Sequence, residues 1–362
     1  MPRTFPPSKP PSSAKRIELA CRLDAGEWSS ADAHALWSIF AATGSARRLG
    51  AIVEEWQDTF FKVAMAIGTG QNDAERLALR TLILGDGKQA WRRFSELAAT
   101  TADQARLSEL FLKMAALFAP TDPEASVNAL ARLTAIAPTD AWALWLIGRM
   151  TESLGELGTA TKFLEQLLEL ETGAGEKVHA VITLSALGRI AAADGRKDLA
   201  AARFLQAIEL SDTIDEKPDA AEQLGDIGDE AIIADTLDVA ENAFERALAL
   251  LRGHGSDTFV AEFGLGRVHL LRGELARAEQ QLTRASKTAI AAGREFEIAL
   301  ALRALGLTKR ESGDPEGARR YWEHALALFE EQERPDEVAK LRGLLEKLEA
   351  PADGSTDLPS GA

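Results

Sequence analysis

Residues 180–210 read AVITLSALGRIAAADGRKDLAAARFLQAIEL, and the spacing of their small and large side chains decides the fold. Gly188 sits in one apolar run. A breaker, Gly195, follows seven residues later, and Ala200, Phe204 and Ala207 mark a second run with the three- and four-residue steps of a helix face. Two helices joined by a tight turn account for this order of residues.

The same arrangement recurs along the chain. Glycines at 148, 188, 228, 266 and 306 are separated by 40, 40, 38 and 40 residues. Twelve residues beyond each stands Ala160, Ala200, Ala240, Ala278 or Ala318, and four further on Leu164, Phe204, Phe244, Leu282 or Trp322. Gly155, Gly195, Gly273 and Gly313 break the helices, with Asp235 taking that place in the third unit. Small residues at facing positions let two helices approach, and the large one fills the space between neighbouring hairpins. One such hairpin cannot bury its own apolar face, so the units are expected to stack.

The segments AWALWLIGRMTESLGELGTATKFLEQLLEL (141–170), 180–210 and EIALALRALGLTKRESGDPEGARRYWEHALALFE (297–330) resemble tetratricopeptide (TPR) repeats. The period of about 40 is longer than that family's usual ~34 and is similar to the extended variety found in kinesin light chains. In the same phase, a degenerate unit from Leu107 has Met114 in the glycine slot, Ser126 in the first alanine slot and Pro138 at its close. Another from Gln71 passes through Ala78, Gly85, Ala90, Phe94 and Leu97. The resemblance implies an all-α, right-handed α-solenoid of about seven helix-turn-helix repeats over 71–334, with units from about 71, 107, 141, 181, 221, 259 and 299.

Outside the repeats, apolar residues Leu49, Ile52, Val53, Trp56, Phe60, Val63, Ala64 and Ile67 place a helix over 46–67. Helices near 14–24 and 31–42 join it in an N-terminal helical cap, residues 14–68. Val338, Leu341, Leu344, Leu345 and Leu348 make 335–350 an amphipathic C-terminal capping helix. Residues 1–13, rich in Pro and Ser, and the polar stretch 351–362 are expected to be disordered tails.

Composition narrows the function. The chain has 362 residues, 46% of them apolar and only 6% aromatic, with a net charge of −15. That charge opposes general attraction to nucleic acid, which depends on clustered Lys and Arg. The single cysteine, Cys21, cannot form an internal disulfide, and no run of about eighteen apolar residues is present. A cytoplasmic protein is expected.

No catalytic or cofactor motif stands out. His34, His179, His254, His269 and His324 are scattered, without HExxH or CxxC spacing, and a packing role is expected for His269. GTGQND near Gly68 and LGDGKQA near Gly85 lack phosphate-loop spacing and read as turns. No metal, cofactor or enzymatic role is expected. ALWSIFAATGSARRLGAIVEEW has the outline of a helix-turn-helix through Gly44, Arg47 and Arg48, but Glu54, Glu55 and Asp58 on its second helix argue against DNA.

The TPR resemblance further implies that positions 2, 5, 9 and 12 of each unit line a concave face that holds a peptide. These positions supply Trp142, Trp145, Arg149, Arg189, Phe263, Arg267, Arg303 and Arg310 as the candidate groove. Arginine forks bind carboxylates bidentately and aromatics anchor interfaces, so an acidic segment of another protein is one expected partner. The alternative for the arginines is solvation, or pairing with neighbouring acids such as Glu152 and Asp229. The Lys and Asn clamp with which some TPR proteins hold acidic chaperone tails is absent. Two roles follow: a scaffold or adaptor for a partner segment, or a regulatory sensor whose N-terminal helices shift when a peptide or small molecule binds.

Overall fold

The computed structural model describes residues 13–41 and 52–349, which form eighteen α-helices and no strand. The expected tails, Leu49, and the turn with Gly44, Arg47 and Arg48 lie outside these residues. The chain divides into two compact units, Met1–Gly175 and Glu176–Ala362. No described helix is long and apolar enough to cross a membrane.

The first unit begins with α1 (Ser13–Asp24), α2 (Ser30–Ala41) and α3 (Ile52–Thr69). Three hairpins follow. They pair α4 (Asp73–Ile83) with α5 (Gly87–Ala99), α6 (Gln104–Phe118) with α7 (Pro123–Ile136), and α8 (Ala141–Ser153) with α9 (Leu157–Ala174). Their starts are chemically marked. The Asp122 and Asp140 carboxylates each accept from a backbone amide three residues on, Ala125 and Ala143, at 3.0 Å, and Pro123 opens α7.

The N-terminal helices belong to the same core as these hairpins. Leu19, Leu23, Trp37, Phe40, Trp56 and Phe60 form one buried cluster with Phe94, Met114, Leu133 and Met150. Phe60 is held between Trp37, 5.1 Å away, and the edge-on ring of Phe40 at 5.9 Å. The helix α3 packs on α4, α6 and α8, the first helices of all three hairpins. It therefore lies along their first-helix side.

The second unit contains four hairpins and a final helix. Its hairpins are α10 (Lys177–Ala193) with α11 (Lys197–Ser211), α12 (Lys217–Ile233) with α13 (Leu237–His254), α14 (Phe259–Leu271) with α15 (Leu275–Ala291), and α16 (Glu295–Glu311) with α17 (Pro315–Glu331). First helices touch in sequence, α10 to α12 to α14 to α16. The last helix, α18 (Pro335–Glu349), packs on α17 through fully buried Leu341, with Val338, Leu344, Leu345 and Leu348 partly covered. Three stacked hairpins in the first unit and four in the second give each an all-α, solenoid-like build.

Candidate functional site

The spacing between the two helices of a hairpin is set by absent side chains. A Cβ added at Gly148 or Gly188 would come within 2.7 Å of Leu164 or Phe204, and at Gly228 or Gly266 within 2.6 Å of Phe244 or Leu282. At Gly306 it would meet the Trp322 ring at 2.2 Å. Each large residue is fully buried, and the Trp322 indole N–H donates to the Arg303 carbonyl at 3.0 Å. Alanines from 160 to 318 at the next contact are likewise inaccessible. The repeats are TPR-like. In the degenerate unit from Leu107, Met114 and Ser126 are buried, and the Ser126 hydroxyl donates to the Ala115 carbonyl at 2.7 Å.

With the second helices and core on one side, each first helix shows solvent only a narrow strip. In the first unit the strip of α8 carries Trp142, about half exposed, with Trp145 and Arg149 partly buried. The Arg149 guanidinium lies 5.5 Å from the Trp145 ring and pairs with Glu152 one turn on.

In the second unit the strips of α10, α12, α14 and α16 lie in order. Arg189 on α10 reaches Glu230 on α12 at 2.8 Å, and Arg267 on α14 reaches Asp229 on α12 at 2.5 Å. The acidic helix is thereby clasped from both sides. Arg267 also lies 5.9 Å from the Phe263 ring, which is itself stacked on Phe259 at 5.4 Å. Arg303 pairs with Glu337 on α18, while Arg310 pairs with its neighbour Glu311 and lies 5.9 Å from Trp322. All five predicted arginines thus face a carboxylate, as the pairing alternative anticipates for Arg149 and Arg267.

Further residues line this face beside the candidate groove. Ile182 and Val260 occupy the same repeat position as Trp142 and are exposed, and so are Ile233 and Leu271 at the ends of their helices. On α12 that position holds Glu222, one turn before Asp226. No Lys, Arg or His among the described residues forms an ion pair with either acid. Asp226 keeps part of its surface in solvent, yet burial of its carboxyl, then the charges of Glu222, Asp229 and Glu230, push its pKa up to about 6. The signal for this acidic strip was the run of acids at 222, 226, 229 and 230, at helical steps of three and four.

The other sequence candidates fall elsewhere. His269 is buried on α14 with Nδ1 2.9 Å from a Glu274 carboxylate oxygen. Gly68 lies within α3, where a Cβ would run into Trp28, and Gly85 is a turn residue with φ 96°. Among the described residues no three His, Cys, Asp or Glu side chains form a metal-holding group.

No protein-family model matches the chain, and no curated protein does. Solved structures are similar in fold at low identity. A Podosopora anserina putative kinesin light chain of TPR-like repeats is 15% identical, matching 54% of this chain and 98% of its own at a TM-score of 0.44. YrrB, described as a TPR protein with an unusual peptide-binding site, is 18% identical over 61% of this chain and 99% of its own, TM-score 0.37. A tetratricopeptide repeat protein from Parabacteroides merdae is 13% identical over 77% and 98%, TM-score 0.43.

Proposed function

We propose that the protein is a non-catalytic scaffold that holds a segment of a partner protein along its first-helix strips. One observation carries this reading: on the first helices of the second unit, Ile182, Val260, Ile233 and Leu271 stay exposed at two matching repeat positions. Apolar side chains left in water at corresponding places of successive repeats are what a docking surface requires. Trp142 and Trp145 in the first unit and Phe263 in the second would serve as further anchors.

The arginines support a particular division of labour. An acidic partner would have to compete with Glu152, Glu230, Asp229 and Glu337 for guanidiniums those acids already engage. The pairs of Arg189, Arg267 and Arg303 act first as ties between helices, and that of Arg149 as a tie within α8. The test is co-purification from native lysate with the unaltered chain, Val260→Asp, and the triple Arg149, Arg189, Arg267→Ala variant. Loss of the partner with Val260→Asp alone is the expected result; equal recovery with all three proteins would overturn the proposal.

The packing of α3 favours a second reading, a sensor. It rests on the first helices α4, α6 and α8, the side of the hairpins that a guest would also approach. A ligand competing for those helices would release it. Faster amide hydrogen exchange in residues 52–69 on ligand binding is the expected sign. Unchanged exchange there, with a ligand demonstrably bound, excludes this role.

A further inference from the structure

Within the second unit the strip has an uneven charge balance. Arg189 pairs with Glu230, Arg267 with Asp229, and Arg303 with Glu337, which also holds Lys340. What remains uncompensated is acidic, Glu222 and Asp226 on α12. Their neighbours across the strip are apolar. The second position of the four repeats reads Ile182, Glu222, Val260, Leu300 from α10 to α16, so the acid is flanked by apolar side chains on both sides. Gly225 lacks a side chain beside Val260, where a Cβ would stand 3.3 Å from Cγ1, so nothing projects from α12 between the acids and that apolar surface.

We infer that this face takes a cationic, apolar-flanked segment of a partner protein, with a Lys or Arg over Glu222 and Asp226 and apolar side chains over Ile182 and Val260. The inference rests on the scaffold reading and names the chemistry of its guest. Charge complementarity selects the occupant: an acidic segment would meet two bare carboxylates, whereas a cation removes the repulsion among Glu222, Asp226, Asp229 and Glu230. The Asp226 carboxyl, held up first by burial and then by these neighbouring charges, would be relieved by the same cation.

A random peptide-display library panned on the full chain at pH 7.5 tests this, followed by fluorescence anisotropy of the selected peptides. Enrichment of Lys or Arg between apolar residues is expected, with Glu in place of the central Lys weakening binding about tenfold or more. In the Glu222→Gln, Asp226→Asn double variant that preference should shrink to within about threefold. Affinity for the Lys peptide should fall between pH 7.5 and pH 5 and do so less in Asp226→Asn. Selected peptides that are acidic or neutral, yet lose affinity with Val260→Asp, would overturn the charge inference and leave the scaffold standing. Failure to recover any peptide sensitive to Val260→Asp would overturn both. Circular dichroism of each variant confirms that it is folded.

Discussion

Asp235 stands at φ 53°, where the equivalent residues Gly155, Gly195, Gly273 and Gly313 have φ between 73° and 80°. A side chain in this left-handed region costs about 1–2 kcal/mol, and the exposed ion pair from Lys197 at 2.6 Å returns little. Replacing Asp235 with Gly should therefore stabilise the protein by about 0.5–1 kcal/mol, read as a higher urea midpoint at unchanged slope. Asp226 behaves differently because its strain is electrostatic. Its folded pKa of about 6 lies above the ordinary carboxyl value of 3.8, so the folded state holds the proton more tightly than the unfolded chain. Stability is consequently lost as pH rises through that interval, and the penalty is complete above it. Glu222, Asp229 and Glu230 share its helix, and Arg189 and Arg267 approach from the two flanking helices. Asp226→Asn should raise the melting temperature at pH 7.5 and leave it nearly unchanged at pH 3, below both values. A scan showing equal shifts at pH 7.5 and pH 3 would point to a change other than charge. The place of Asp235 was readable, since it interrupts an otherwise regular series of glycines. The environment of Asp226 was not, because spacing groups four acids on one helix without revealing that the nearby arginines serve only two of them.

Between helices, the glycine and large-residue partnership was visible in the sequence because it is repeated five times at nearly constant separation. The packing of α3 was less accessible: the wide apolar face over 52–67 shows that the helix is buried but not which helices bury it. The same limit applies to Glu75 and Lys113. Glu75 on α4 and Lys113 on α6 are almost fully enclosed, meet at 2.8 Å, and are joined by Arg106 and Glu109. A sequence reading sees four charges on two helices and expects them in water. Removing Glu75 leaves the enclosed Lys113 with only the half-exposed Glu109, so Glu75→Gln should cost about 3 kcal/mol by chemical denaturation. A double change, Glu75→Gln with Lys113→Met, should recover part of that loss, which separates lost charge matching from simple misfit.

Across the second unit, the core and the solvent-facing strip are two sides of the same helices. Phe244 occupies space left by two glycines, Gly228 on α12 and Gly264 on α14, whose added Cβ atoms would stand 2.6 and 2.3 Å from its ring. The thickness of one aromatic ring thus gauges the pitch between two hairpins. On the far side of those helices, that pitch sets the distance separating Asp226 from Val260. Phe244→Leu should cost about 1–3 kcal/mol of stability by thermal or urea unfolding, as the neighbours draw in around a smaller wedge. It should also change affinity for a peptide seated on the strip while the strip keeps every one of its own side chains. A back-side substitution of this kind works like altering the spacer between two jaws of a vice, so recognition can be retuned from a residue no guest ever touches.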